Sequence, residues 1–246
     1  MVAEPPAFVR LAAHPLRWSL LTALAGGDLR VRELVERVGE PQNLVSYHLR
    51  LLRVGGLVTA TRSSFDGRDS YYHLDLDHCA GALAETGAAL HPALRPETPP
   101  PAGRIAVLFV CTGNSARSPI AEALLRRRTA GKVTVTSAGS HPKAALHPEA
   151  VRVLGDEFGI DITGQRPRHL DAVAGQRFDH VITVCDKVRE VCPGFPHRPR
   201  RRHWSIPDPA AARDPGSFAR TAAELDTRVR HLLPDLVTTK DKEVRS

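Results

Sequence analysis

Residues 105–121 read IAVLFVCTGNSARSPIA, and this stretch decides the fold of the C-terminal half. Six apolar residues, Ile105 to Val110, predict a strand buried on both faces, as in a parallel sheet. The eight-residue loop CTGNSARS follows at once, and Pro119 then stands where the first turn of a helix tolerates it. Strand, tight loop and helix together gather backbone N–H groups around an anion at a helix N-terminus. Cys111 opens the loop, with Arg117 six residues on and Ser118 beside it. A thiol among amide donors and a guanidinium is expected to be a thiolate nucleophile at neutral pH. Arg117 offers a planar fork that matches two oxygens of a tetrahedral oxyanion. Thr112, Gly113, Asn114, Ser115 and Ala116 supply the remaining wall of the cradle, and Gly113 lets the backbone curl. The bland alternative is a buried strand-end Cys with a surface Arg. Cys-x5-Arg-Ser between a strand and a helix is too specific a combination to favour it.

Downstream of the loop, strands alternate with helices. Residues 133–138 and 178–184 read as strands and 201–206 as a weaker fourth; 119–130, 149–158 and a last segment from about Ser217 read as helices. That last helix keeps Phe218, Ala222, Leu225, Val229 and Leu232 on one stripe, while Arg126–Arg128 read as a solvated face. The pattern is α/β: a doubly wound parallel sheet of flavodoxin-like order, with ligands at the carboxyl ends of the strands. The third strand then neighbours the first, so Cys111 and Cys185 emerge side by side. Asp208-Pro209 follows the fourth strand, and its carboxyl can face the Cys loop across the sheet top, where a leaving oxygen needs a proton donor.

The N-terminal half has a different pattern. Leu11, Leu16, Leu20, Leu21 and Leu24 fit helical turns interrupted at Pro15; residues 31–38 form a short helix with Leu34, Val35 and Val38 inward. Pro41 opens another helix, QNLVSYHLRLLRVGG, with Leu44, Leu49, Leu51 and Leu52 for burial. Two helices joined by a tight Gly-containing turn make a helix-turn-helix. The alternating run LVTATRSSFDGRDSYYHLDL with Asp66-Gly67 adds a hairpin, and the whole is a winged helix-turn-helix. Gln42, Asn43, Ser46, Tyr47, His48 and Arg50 are the groups offered to a major groove, with Arg62 and Arg68 flanking the wing tip. The alternative use of such a module is dimerisation alone.

Residues 91–103, HPALRPETPPPAG, are a Pro-rich linker. The expected division is therefore a DNA-binding domain at 1–90, the linker at 91–103, the α/β domain at 104–237 and a tail at 238–246. A chain of 246 residues suits two domains. It holds no run of 18 apolar residues and no secretory signal, so it is expected to be cytoplasmic with no membrane partner. Four Cys in that setting point to reactive thiols, not a disulfide framework. Residues 1–88 carry nine basic against ten acidic residues, and 104–246 carry 24 against 16. The basic excess lies with the Cys loop, which suits attraction of an oxyanion and makes DNA binding by the N-terminal half depend on local placement.

CTGNSARS resembles the catalytic loop of low-molecular-weight tyrosine phosphatases and their relatives, the thioredoxin-coupled arsenate reductases. Cys185 and Cys192, in VITVCDKVREVCPGFP ahead of HWSIPDPA, extend the resemblance to the reductases across most of 104–235. It implies that Cys111 is the nucleophile, Arg117 and the loop amides hold the oxyanion, Ser118 supports the thiolate and Asp208 is the general acid. Cys185 is then the resolving thiol and Cys192 the shuttle, with no bound cofactor and an external thiol reductant: thioredoxin, with mycothiol or glutathione behind it. A phosphatase is the rival, but Ala210 and Ala211 follow Asp208-Pro209 where a phosphotyrosine pocket wants aromatic residues. Some of these reductases hold potassium near the loop Asn, here Asn114, through a downstream acid; DITGQRPRHL offers Arg166 and Arg168 instead, so no potassium site is expected.

The pattern HPLRWSLLTAL…VSYHLRLLRVGGLV…DGRDSYYHL resembles the ArsR family of winged-helix metalloregulators, which implies operator DNA and a homodimer formed through this domain. The helix RVRELVERV lacks the Cys-x-Cys pair often found there, and Cys79 with His73 and His78 nearby makes no multi-thiolate site, so no metal is expected. The combined expectation is a regulator of arsenic resistance fused to an arsenate reductase; its rival in another class is a regulator whose reductase-like domain only senses arsenate.

Overall fold

The computed structural model describes residues 4–63, 69–91, 105–195, 197–212 and 214–237. These fall into two compact units on either side of residues 92–104.

In the first unit α1 (Ala7–Ala12) and α2 (Pro15–Leu24) are separated by His14, whose Nδ1 accepts from Leu16 N and so caps α2, with Pro15 at the first helical position. A two-residue strand β1 (Leu29–Arg30) leads into α3 (Val31–Val38). Gly39, at φ 70°, ends α3 in the left-handed conformation that a side chain resists, and α4 (Gln42–Val54) follows. Then β2 (Val58–Arg62) pairs antiparallel with β3 (Ser70–Leu74), with β1 on the far side of β3. Leu20, Leu34, Val45, Leu49, Leu52 and Leu57 form the centre of the core. This is the expected winged helix-turn-helix; the turn at Asp66-Gly67 and Arg68 lie outside the described residues.

Two features depart from the sequence reading. The buried stripe of α4 runs Val45, His48, Leu49, Leu52. That phase turns Leu44 out to solvent and leaves Leu51 only half-buried. No sequence periodicity predicts a helix beyond the hairpin, yet α5 (Leu76–Leu90) spans 15 residues, begun by Asp75 Oδ1 accepting from His78 N. None of its residues is buried, and its composition, rich in Ala and Gly, gives it little amphipathic contrast.

The second unit starts with β4 (Ala106–Cys111) and α6 (Arg117–Arg128), followed by β5 (Thr134–Gly139) and α7 (Pro148–Phe158). A single 3-10 turn at Leu170–Val173 precedes β6 (His180–Thr183), α8 (Asp186–Val191), β7 (Arg200–His203) and α9 (Ser217–Val237). The four strands are parallel in the order β5-β4-β6-β7, so the first sits between the second and the third. β4 is buried almost throughout, as a continuous apolar strand covered on both faces must be. The stripe Phe218, Ala222, Leu225, Val229 and Leu232 of α9 is buried, and α9 packs on α6 and α7. Register sets Val110 opposite Thr183 and Cys111 opposite Gly139, which aligns the carboxyl ends of β4, β5 and β6. Among the described residues no helix is long and apolar enough to cross a membrane.

Candidate active site

The loop between β4 and α6 curls around the sulfur of Cys111. Asn114, at φ 44°, takes the left-handed conformation that Asn tolerates better than most residues, and its backbone N then donates to Cys111 Sγ at 3.2 Å. Ser118 Oγ lies 3.0 Å from the same sulfur. The Asn114 amide is fully used: Nδ2 donates to Ser118 Oγ and Ser137 Oγ, and Oδ1 accepts from Arg168 N. Gly139 allows the loop to settle on β5, because a Cβ there would stand 2.6 Å from Thr112 O. Backbone bonds from His141 N to Thr112 O, Lys143 N to Gly113 O and His147 N to Ser115 O brace the loop from outside.

Arg117 is buried, and both ends of its fork are engaged. Nη1 donates to Ile206 O and Nη2 to Asp208 Oδ2, each at 3.0 Å. This places the carboxyl of Asp208, itself part-exposed, at the mouth of the loop that holds Cys111. One expectation is corrected. The free protein does not lower the Cys111 thiol towards thiolate: burial pushes it up, Cys185 nearby adds to that, and Arg117 and Ser118 pull the other way without prevailing. The physical reason is that Cys111 is fully enclosed, and the cost of desolvating a thiolate there outweighs the pull of Arg117 and Ser118.

Cys185 leaves the end of β6 beside β4, as the strand order requires, and its Sγ lies 3.4 Å from Thr112 Oγ1. Cys192 closes the other end of α8. Its thiol is pushed up by burial, with Arg201 beside it pulling down. None of the four cysteines is joined in a disulfide. The loop residues 111–118, Asp208 and Cys185 are thus drawn to one end of the sheet, and Cys192 lies one short helix away.

In the first unit, Gln42, Asn43, Ser46, Tyr47 and Arg50 are exposed along α4, and Arg62 is exposed at the end of β2. His48 is a correction: it is 5 % exposed, with its ring against His14 at 4.3 Å between centroids, so it belongs to the core side of the helix and not to a groove-reading face. Its pKa is lowered by burial first, then by His14 and Arg17. Cys79 Sγ lies 3.4 Å from Leu57 O, and burial with Asp75 nearby raises its thiol to about 11. Among the described residues no three His, Cys, Asp or Glu side chains group as a metal site.

Sequence reasoning missed the pair Asp186–His203, buried directly behind Cys185 with His203 Nε2 3.2 Å from Asp186 Oδ1. Its partners stand 17 residues apart on different elements. The signal available was an acid immediately after Cys185 and a His closing the basic run 200–202.

Comparison with known proteins finds relatives for both halves of the chain. The C-terminal unit matches the family model for low molecular weight phosphotyrosine protein phosphatase over residues 106–245, and residues 14–60 match that for bacterial regulatory proteins of the arsR family. An arsenate reductase of Bacillus anthracis is 37 % identical over 124 residues, 50 % of this chain and 90 % of that protein. Arsenate reductase 2 of Bacillus cereus is 36 % identical over the same shares. The crystal structure of an arsenate reductase from Archaeoglobus fulgidus is 34 % identical, covering 52 % of this chain and 98 % of its own, with a TM-score of 0.45. The chain belongs to the low molecular weight phosphotyrosine protein phosphatase family through an arsenate-reductase-like C-terminal unit, and it carries an ArsR-family helix-turn-helix ahead of it.

Proposed function

We propose that the chain reduces arsenate to arsenite by a relay of three cysteines and that its N-terminal unit binds operator DNA as a homodimer. The observation that carries the first part is the meeting of Cys185 with the Cys111 loop across Thr112, with Cys192 at the far end of the same short helix.

Because burial keeps the Cys111 thiol protonated, a doubly charged arsenate enters without facing a thiolate and takes the thiol proton itself. Arg117 turns its fork from Asp208 to the oxyanion, and the loop amides hold the remaining oxygens. Cys111 sulfur attacks arsenic; one oxygen leaves as water, with Asp208 passing to it the proton of a second arsenate hydroxyl. Ser118 donates towards the sulfur and steadies the thiolate. Cys185 then attacks Cys111 sulfur, and its thiol proton passes to the departing arsenic oxyanion. A disulfide forms, the electron pair of the S–As bond stays on arsenic, and As(V) becomes arsenite. Cys192 attacks Cys185, which frees Cys111. The Cys185–Cys192 disulfide is finally reduced by an external dithiol, thioredoxin being the reading preferred over mycothiol or glutathione because two resolving cysteines lie within the chain.

For the N-terminal unit, α4 lies in the major groove with Gln42, Asn43, Ser46, Tyr47 and Arg50 towards the bases and phosphates, and Arg62 reaches the backbone beside the wing. Val9 on α1 and Leu83 and Leu90 on α5 leave apolar surface exposed on two packed helices, which suits a second copy of the chain. Two-fold related units would read half-sites one helical turn apart, ~34–36 Å. Arg50→Ala with Arg62→Ala should weaken binding to the chain's own promoter and lower the salt slope by about one for each phosphate that is no longer neutralised. Binding equal to the parent's, measured by fluorescence anisotropy, rejects this face. The proposed division stays at 1–90, 91–103, 104–237 and a tail at 238–246, and the proposed compartment is the cytoplasm.

The deciding assay is arsenate-dependent oxidation of NADPH with thioredoxin and thioredoxin reductase present. Oxidation that requires Cys111, Cys185 and Cys192 supports the relay. Turnover of aryl phosphates without need of Cys185 or Cys192, and none of arsenate, makes the chain a phosphatase instead.

A further inference from the structure

Cys185 is held from both sides, and the hold behind it is a buried chain of three side chains. Ahead of it, Val184 N donates to Val110 O at 2.7 Å and Trp204 N to Thr183 O at 2.8 Å. Behind it, Asp186, 2 % exposed, meets His203 Nε2 at 3.2 Å, and His203 Nδ1 meets Thr183 Oγ1 at 2.9 Å. These residues come from three elements: Thr183 ends β6, Asp186 opens α8 and His203 ends β7. A carboxylate only accepts, so the ring must carry its proton on Nε2 towards Asp186, whichever way the Thr183 hydroxyl points. A buried carboxylate kept in this pairing is costly to dislodge, because leaving it would strand a desolvated charge.

The far end of α8 reaches the surface. Val191 is 59 % exposed, and Cys192 is tied by an exposed bond from Arg201 Nη2 to its carbonyl at 3.2 Å. A helix of six residues does not stand on its own hydrogen bonds. One end of α8 is therefore pinned through buried side chains to two strands, while Val191 at the other end stands exposed.

We propose that Thr183, His203 and Asp186 form the pivot of the relay. They fix Cys185 against Thr112 and Cys111, so that Cys192 moves relative to a held partner when α8 opens. This rests on the relay reading, but the pivot acts on the meeting of two sulfurs and not on arsenic, so it can be tested without arsenate. Asp186 and His203 are positioning residues; neither touches the oxyanion.

The test uses the full chain with Asp186→Asn, His203→Gln and both together, each checked for folding by circular dichroism and thermal melting. Diamide, a two-electron oxidant of thiols, drives Cys111–Cys185 disulfide formation; its rate is followed by alkylation and mass spectrometry in a Cys192→Ser background. Inorganic phosphate titrated into the reduced protein reports the oxyanion loop. A pivot predicts disulfide formation slower on the order of 10–100-fold, the scale of a misplacement of about 1 Å between reacting groups. The double variant should be no slower than the worse single one, and phosphate affinity should not change. An unchanged rate in folded variants overturns the proposal, and so does an equal loss of phosphate affinity, which would mean general damage to the site. Should the variants fail to fold, hydrogen exchange on the parent decides: protection at 183–186 must survive Cys111–Cys185 disulfide formation, and its loss overturns the pivot. A parent that forms this disulfide as expected yet never reduces arsenate would remove the relay's substrate and leave the pivot standing.

Discussion

Asn114 and Cys192 mark the two extremes of the C-terminal site. Asn114 is 1 % exposed, and its side-chain amide reaches Ser118, Ser137 and Arg168 N, so the loop around Cys111 is braced on every side. Cys192 stands half-buried at the end of six helical residues, with exposed Val191 before it and Pro193 and Gly194 after it. The rigid end suits chemistry in which charge develops at a fixed place, since donors already aimed there need not reorganise. The loose end suits a thiol that must travel. A site that has to reduce an oxyanion and then renew itself needs both, and the boundary between them falls at Cys185.

Breaking the rigid end should have the largest effect. Cys111→Ser removes the nucleophile, and arsenate turnover should fall by at least ~10⁴-fold, the scale seen when a covalent nucleophile is lost. The same variant separates enzyme from sensor: a chain that only senses arsenate keeps its transcriptional response, whereas one that acts through thiol chemistry loses it. Asp208→Asn should follow, with turnover down on the order of 10²–10⁴-fold, the usual worth of a positioned general acid. Anion affinity should not weaken, because Arg117 and the loop amides remain and the competing carboxylate bond to Arg117 is gone. Full turnover in this variant removes Asp208 from the mechanism.

How much of this was legible in the sequence follows the same boundary. The strand, the loop from Cys111 to Ser118 and the helix after it were readable because they are contiguous, and their roles follow from residue type and spacing. The parallel order placing β6 beside β4 came from the alternation of strands and helices, and with it the approach of Cys185 to Cys111. What was not readable joins distant positions. The Arg117–Asp208 bond spans 91 residues, and the burial that raises the Cys111 pKa comes from the packed fold around it. The Asp186–His203 pair leaves no periodic trace. On α4, a shift of one residue in the phase of the buried stripe exchanged Leu44 for Val45 and buried His48. α5 escaped because Ala and Gly at nearly half of its positions blur the contrast between faces.

A third prediction tests whether the strand leading to the loose end is also the weaker in acid. His180, on β6, is fully buried, and neither ring nitrogen has a hydrogen-bond partner among the described residues. Burial first, then Arg202 and Arg200, lower its pKa from 6.5 to about 4. Between those values the unfolded chain binds a proton that the folded protein refuses, so stability rises with pH across this window and is lost as pH falls through it. From pH 7 to pH 5 the C-terminal unit should lose about 2 kcal/mol from this group. His180→Leu should remove that part of the pH dependence in urea melts and cost little at pH 7, since no hydrogen bond is broken. An identical pH dependence in the variant would show that the buried ring is not its source.

The smallest expected effect is the most informative about movement. Cys185 and Cys192 are seven residues apart across α8, about 10.5 Å along an axis rising ~1.5 Å per residue. A disulfide needs Cα atoms closer than about 7 Å. The two sulfurs cannot join while Asp186–Val191 stays helical, so oxidation should unwind it. The change in hydrogen-exchange protection at 187–191 should nonetheless be modest, about tenfold or less, because a short and partly exposed helix already opens readily in the reduced protein. Its pattern matters more than its size. Protection should fall after Asp186 and persist at 183–185, where Thr183 and Val184 are bonded into the sheet. Pro193 and Gly194 set the far limit, since neither can extend a helix easily. With the 185–192 disulfide confirmed by mass spectrometry, equal protection of 187–191 in both states would sink the helix-to-loop relay. Loss running back into β6 would instead place the flexible boundary one element earlier than Cys185.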